Sequence, residues 1–243
     1  MLGTMREPNT RPLASEAVYT QLRDRILTGD LKPGDPLPGE RRLSEQLGVN
    51  RGAVREGIQR LAQARLVVVQ HGGATRVLDY RDSGLDLLAD LLARPEGGVS
   101  TQIVRGVLEL RNALAPVVVR LAARHGGAAL ATALDPHVEA LATAETDADR
   151  YTQVRAIWRL LSHATQNLAL QLALNSLQKG TGRHEALVRQ FLAAELSNQA
   201  AYHALADAVR RGDEAAAEAV TIALVAPTVA LAAHLQSLPE APS

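Results

Sequence analysis

Arginine side chains are concentrated in one short stretch of a chain whose 26 Lys and Arg residues are balanced by 26 Asp and Glu residues. Residues 49–77 hold five arginines against one acid, Glu56, and two further arginines stand just upstream; together they are Arg41, Arg42, Arg51, Arg55, Arg60, Arg65 and Arg76. Arg51 and Arg55 are four residues apart, so on a helix they share one face, where guanidinium groups can meet phosphate oxygens or guanine edges. The stretch is therefore a candidate polyanion-binding surface, the alternative being an ordinary solvated helix face.

Three short helices are expected to position these arginines. Ser15 is a candidate N-cap, and Val18, Leu22 and Ile26 follow at helical spacing until Gly29. Three prolines and two glycines in residues 32–39 form a rigid connector, which predicts a second helix over 40–47. Gly48 would end that helix and Asn50 would cap a third over 51–64. Two helices joined by a tight turn containing glycine are typical of a helix-turn-helix.

A β-hairpin is expected directly after the third helix. Two short runs with β-forming residues, 66–69 and 75–78, flank a turn that contains Gly72 and Gly73. In this position a hairpin would form a wing, and His71 at its tip could reach a minor groove. Residues 1–12 have no periodicity and are expected to be a flexible arm, so the first domain is predicted over 13–80.

The rest of the chain predicts only helices, so the fold class is mainly α. Leu, Val and Ala recur at three-four spacing over 102–125, 151–179, 184–211 and 214–238, which favours an all-α bundle over 81–238. Pro227 is expected to kink or interrupt the last helix.

Composition and missing motifs restrict the function. The chain has no cysteine, which excludes disulfides, thiolate metal sites and a cysteine nucleophile. It has no Gly-rich phosphate loop and no nucleophile elbow, so we do not expect an enzyme. We expect neither a membrane-spanning apolar run nor a signal peptide, and the protein is therefore predicted to be soluble and cytoplasmic, with no membrane partner.

The arginine-rich stretch resembles the GntR superfamily. The similarity is carried by Leu37-Pro38-Gly39-Glu40-Arg41-Arg42-Leu43 and Val49-Asn50-Arg51-Gly52-Ala53-Val54-Arg55-Glu56. Gln59-Arg60-Leu61-Ala62, Gln70-His71-Gly72 and Ser83-Gly84-Leu85-Asp86 are similar to the FadR subfamily. The resemblance implies a homodimer on a palindromic double-stranded DNA operator, with contacts from Arg41, Asn50, Arg51, Gly52, Ala53, Arg55, His71, Gly72 and Gly73. Gly73 stands where the subfamily has lysine, which puts one phosphate contact in doubt.

The resemblance also implies that the bundle binds an effector that weakens DNA binding. In the fatty-acid regulators of this subfamily the effector is a long-chain acyl-CoA, so the resemblance implies the same effector and control of fatty-acid metabolism genes here. The candidate contact residues are Arg111, Trp158, Asn167 and His184. Arg111 is equally compatible with an ion pair to a neighbouring acid, and Trp158 with core packing.

Many GntR relatives hold a divalent metal through an Asp and three histidines. The corresponding positions here are Val154, Trp158, Tyr202 and Val225, none of which is a usual ligand, so no metal and no other cofactor is expected. Positions that serve the acyl-CoA in the subfamily also differ, being Leu224, Pro227, Leu231, Gln178 and Glu185. Two alternatives therefore stay open: a different effector such as a carboxylate or sugar acid, and a bundle that serves dimerisation only.

Overall fold

A computed structural model of the chain describes residues 11–70, 73–92 and 99–237. They form two compact units that divide between Leu87 and Leu88, a little beyond the boundary expected at residue 80. The first unit contains three helices and a small sheet, and the second contains helices without strands in its described part.

The first unit is built on α1 (Arg11–Leu27), α2 (Glu40–Leu47) and α3 (Arg51–Gln63). α1 begins before the expected Ser15, because a proline such as Pro12 is tolerated in the first turn, where no backbone donor is needed. The predicted stripes of α1 and α3 are buried against each other: Val18, Leu22, Ile26, Val54, Ile58 and Leu61. Gly57 permits this close packing, since a Cβ atom there would lie 2.6 Å from Cγ1 of Val18.

The expected wing is present as a short antiparallel pair. β1 (Val67–Val68) pairs with β2 (Arg76–Val77), and Val67 stands opposite Val77. The connector before α2 adds a third, irregular edge, because the amides of Gly34 and Leu37 donate to the carbonyls of Val77 and Thr75 at 2.9 and 2.8 Å. The connector, predicted from its prolines and glycines only as a rigid link, therefore also braces the wing.

The second unit is a helical bundle centred on α5. Its helices are α4 (Leu88–Leu92), α5 (Thr101–Thr143), α6 (Asp147–Ala164), α7 (Leu168–Thr181), α8 (Glu185–Phe191), α9 (Ala193–Leu196), α10 (Gln199–Arg211) and α11 (Glu214–Ser237). α6, α10 and α11 pack along α5. α5 is interrupted at Gly127, whose φ of 51° and ψ of −148° are non-helical, just after the end of the helix predicted over 102–125.

Two of the predicted long helices are wrong. The helix expected over 151–179 is broken at Gln166, with φ of 54°, and at Asn167, whose side chain accepts a hydrogen bond from Leu170 N at 3.1 Å. The helix expected over 184–211 is divided into α8, α9 and α10, and Asn198 caps the last of these. Apolar periodicity continued across all three breaks. Before α7 and before α10 an Asn side chain competes for the backbone donors and starts a new helix, whereas no side-chain cap stands at Leu192, between α8 and α9.

Pro227 does not interrupt α11. Pro227 and Ala223, the residue whose carbonyl loses its helical donor, are both exposed, so water can satisfy that carbonyl. Contrary to the sequence-based expectation, α11 is long and apolar enough to cross a membrane by length and composition alone. The expectation overlooked its many alanines. Only 33% of this apolar stretch is buried in the bundle, although Ala217, Leu224 and Val225 are among the buried residues of the helix.

Candidate functional sites

The start of α3 is fixed by local hydrogen bonds. Gly48 adopts a left-handed conformation, with φ of 65°, and ends α2. Asn50 then accepts a hydrogen bond from Ala53 N at 2.9 Å, and Ser44 donates to the carbonyl of Val49 at 2.6 Å. These contacts set the turn between α2 and α3 and therefore the direction in which the first turn of α3 presents its side chains.

The structure sorts the sequence-predicted contact residues of α2 and α3. Arg41, Asn50, Arg51 and Arg55 are exposed, and Gly52 is half-buried. Ala53 is fully buried, so its side chain is not available to a partner, contrary to the expectation. The reason is helical geometry: Ala53 precedes Val54 on the face that packs against α1. Arg51 and Arg55 thus form the accessible face.

Arg55 is held by Glu40, a residue that the sequence analysis did not single out. Its Nε and Nη2 atoms donate to the two carboxylate oxygens of Glu40 at 3.1 and 2.9 Å. This hydrogen-bonded pairing holds the pKa of Glu40 below its usual value and raises the pKa of Arg55. A bidentate pair of this kind restricts the guanidinium orientation. The sequence signal that could have pointed to Glu40 is its place beside Arg41 in the motif that begins at Leu37.

The other arginines of the stretch differ in how firmly they are engaged. Arg60 pairs with Glu16 and lies over the ring of Tyr19. Arg76 donates to the carbonyl of Gly34 at 2.9 Å. Arg51 has no hydrogen bond or ion pair within the part of the chain that the structure describes. The predicted patch therefore contains structural arginines as well as accessible ones.

Only part of the wing tip can be placed. His71 and Gly72 lie outside the described residues. Gly73 is exposed, and its amide donates to the carbonyl of Gln70 at 3.2 Å.

The second unit contains an apolar cavity of about 130 Å³. Aliphatic residues of α5, α6, α7 and α8 make most of its wall, including Val104, Leu108, Val154, Leu174, Leu177, Leu187 and Val188. Three of the four candidate effector residues line it: Arg111, Trp158 and His184. Asn167 is not part of the lining and instead caps α7. Gln178 is among the polar lining residues.

Arg111 is engaged in a buried ion pair at this cavity. Its Nη2 atom lies 2.5 Å from both carboxylate oxygens of Glu195, which is 1% exposed. Tyr202 donates its hydroxyl to Glu195 at 2.9 Å, and burial raises the pKa of Tyr202 well above its usual range. The neighbouring acid considered for Arg111 therefore exists. Sequence alone could not name it, because Glu195 lies 84 positions away.

The four positions that the resemblance aligns with metal ligands are mostly interior here. Val154, Tyr202 and Val225 are buried, and the ring centre of Trp158 lies 5.8 Å from the guanidinium carbon of Arg111. Within residues 11–70, 73–92 and 99–237, no group of three His, Asp or Glu side chains could hold a metal ion.

Family models match both units of the chain. Residues 14–77 match the model of bacterial regulatory proteins of the gntR family, and residues 106–227 match the FCD domain. The HTH-type transcriptional regulator Mce2R of Mycobacterium tuberculosis is 36% identical over 87% of this chain and 88% of its own length. The chain belongs to the GntR family. It is accordingly a transcriptional regulator. GntR regulators bind DNA, and they bind small-molecule effectors through the FCD domain.

The chain is also similar to proteins named fatty acid metabolism regulators. The fatty acid metabolism regulator protein of Erwinia tasmaniensis is 37% identical over 161 residues, which are 63% of this GntR-family chain and 64% of that protein. A solved structure, that of Lar, described as controlling the Listeria monocytogenes agr system, covers 94% of this chain and all of its own, with 14% identity and a TM-score of 0.53. This structural likeness shows the fold alone.

Proposed function

We propose that this GntR-family regulator binds a palindromic operator as a homodimer and that an acyl-CoA in the cavity of the FCD domain weakens this binding. The proposal is supported by two features of the same chain: an accessible arginine face on α3 and an apolar cavity in the second unit. The relatives named fatty acid metabolism regulators support control of fatty-acid genes.

On the DNA side, Arg51 and Arg55 are the proposed base and phosphate contacts. Both are exposed near the start of α3, where the backbone amides and the helix dipole also favour phosphate oxygens. Arg51 is free to adapt, whereas Glu40 holds the Arg55 guanidinium. Arg41 and the wing residues His71, Gly72 and Gly73 would add contacts to the DNA backbone and the adjacent groove. Asn50 contributes by fixing the turn as a helix cap.

On the effector side, the cavity has the chemistry of an acyl-binding site. Its wall is mainly aliphatic, and the buried indole nitrogen of Trp158 has no well-formed hydrogen bond to a described residue, although it lies close enough to the Tyr202 hydroxyl to oppose the rise in the pKa of that group. The indole nitrogen can therefore donate to a carbonyl oxygen of the ligand. The guanidinium of Arg111 lines the same wall, while Glu195 balances its charge.

The cavity volume separates two effector classes. An engineered protein cavity of roughly 150 Å³ holds a benzene molecule, so the present cavity of about 130 Å³ accepts an apolar group of similar size as it stands. A long acyl chain needs more room, and its entry would push the surrounding helices apart. The volume itself favours a second candidate, a smaller organic anion with a short apolar part.

The proposed function is tested by a DNA titration with and without effector. Fluorescence anisotropy on a labelled fragment from upstream of the gene, at fixed salt, measures the dissociation constant of the DNA complex. Acyl-CoA esters with chains of about 4 to 16 carbons are then added. This series covers both the short apolar groups that fit the cavity as it stands and the long chains that need more room. Release of the specific DNA fragment by long esters supports the hypothesis of a fatty acyl-CoA effector, and release by short esters alone supports the hypothesis of a smaller organic anion. Specific DNA binding that none of them changes contradicts acyl-CoA control.

A further inference from the structure

A second depression of about 230 Å³ lies beside the apolar cavity. Thr152, Arg155, Ala156 and Arg159 line it from one face of α6, since they are spaced by three and four residues. Gln178 of α7 completes the lining. We call this depression the basic recess. Arg155 and Gln178 also line the apolar cavity, so the two hollows adjoin.

The charge of the basic recess is not neutralised by the surrounding described residues. Arg155 and Arg159 are both exposed, and neither forms an ion pair within the described ranges. Arg155 lies over the ring of Tyr151, with 5.7 Å between the guanidinium carbon and the ring centre. Glu185, a nearby acid, pairs with Arg189 at 3.4 Å. Two guanidinium groups therefore face the recess with their donors available.

The apolar cavity has the opposite arrangement. The one arginine in its wall besides Arg155 is Arg111, whose charge is balanced by both carboxylate oxygens of Glu195. A further anion at Arg111 would have to compete with this buried carboxylate. An anionic group gains more at Arg155 and Arg159, whereas an apolar group gains more between the aliphatic walls.

We infer that the basic recess binds the anionic headgroup of the effector while its apolar part enters the adjoining cavity. The shared chemistry is a phosphate or carboxylate attached to an apolar chain. This orientation rests on the proposed function, because it assumes that the cavity is the effector site. It assigns Arg155 and Arg159 as headgroup contacts and leaves Arg111 to hold the inner wall.

Trp158 makes the test direct, because it is the only tryptophan of the chain and lines the cavity. Its fluorescence is followed while lauroyl-CoA, laurate or dodecanol is titrated into the full-length wild type, R159A and R155A. R211A, which removes an exposed arginine of α10, is the matched control. Arg159 lines only the recess, so R159A leaves the wall of the cavity intact.

R159A and R155A are each expected to weaken binding of the ester, the acid or both by about tenfold or more, the usual size of a lost charge-assisted hydrogen bond. If the substitutions weaken binding of lauroyl-CoA alone, the recess binds a phosphate headgroup; if they weaken binding of laurate, it binds a carboxylate. Dodecanol should bind the wild type, R159A and R211A alike, since all three keep the wall of the apolar cavity, and high salt should reduce the difference for the anionic ligands. Equal affinities of wild type, R159A and R155A for both anionic ligands would overturn the inference alone. A wild type that binds none of the three ligands would overturn the proposed effector class as well.

Discussion

Removal of the Glu195 carboxylate should destabilise the second unit strongly. E195A leaves the Arg111 guanidinium, only 18% exposed, without its bidentate partner, and leaves the buried Tyr202 hydroxyl without its acceptor. Breaking a buried ion pair by removing one partner typically costs about 3–5 kcal/mol. For a domain of this size, each kcal/mol lowers Tm by about 2–4 °C, so a fall of roughly 6–20 °C is expected.

The assay is thermal unfolding of the full chain at neutral pH, followed by far-UV circular dichroism. The matched control is E214A, which removes an equally well-formed pair: Glu214 accepts from Arg124 at 2.9 and 2.7 Å, but at the surface. Exposed pairs contribute little, so Tm should hardly change in the control. Replacing both members, as R111M with E195L, should recover most of the loss. Equal Tm shifts in E195A and E214A would refute the claim that burial makes this pair critical.

Three further predictions concern other parts of the molecule. Y202F should flatten the loss of stability above about pH 10, because native Tyr202 has a raised pKa and resists an ionisation that the unfolded chain undergoes; pH-dependent urea unfolding measures this. G57A should destabilise the first unit by about 1–3 kcal/mol through its clash with Val18, whereas G106A, with open space around it, should not. E40Q removes a negative charge and releases the Arg55 guanidinium, so it should raise the affinity for random DNA and lower the preference for the operator. Fluorescence anisotropy measures both affinities; an unchanged preference would show that Glu40 does not orient the guanidinium of Arg55.

The helix-turn-helix was predictable because its signals are local. Gly48 and Asn50 mark the turn by their own backbone preferences, and the stripe of Val54, Ile58 and Leu61 follows one helical period. The wing was predictable as a hairpin for the same reason. Its third edge, from residues 34–37, was not, because Pro and Gly indicate a connector without indicating which strand it will meet.

The bundle was predictable in class and less so in detail. Apolar periodicity over residues 151–179 and 184–211 concealed the breaks at Gln166 and Leu192, where caps and dihedral angles decide. Arg111 and Trp158 could be chosen as cavity candidates, but Glu195 is brought to Arg111 only by the packing of α9 against the bundle. The basic recess was missed because Arg155 and Arg159 look like any charged helix face until α7 places Gln178 beside them.

The central claim is that the exposed face of α3 reads DNA, and the most direct measurement compares R51A and R55A with the wild type. Fluorescence anisotropy at fixed salt, on the specific upstream fragment and on a shuffled fragment, gives both affinities, with R211A as the matched control. Each α3 substitution should weaken specific binding by roughly ten- to a hundredfold while the protein stays folded. Unchanged affinity for the specific fragment in both variants would contradict the assignment of α3 as the DNA-reading helix.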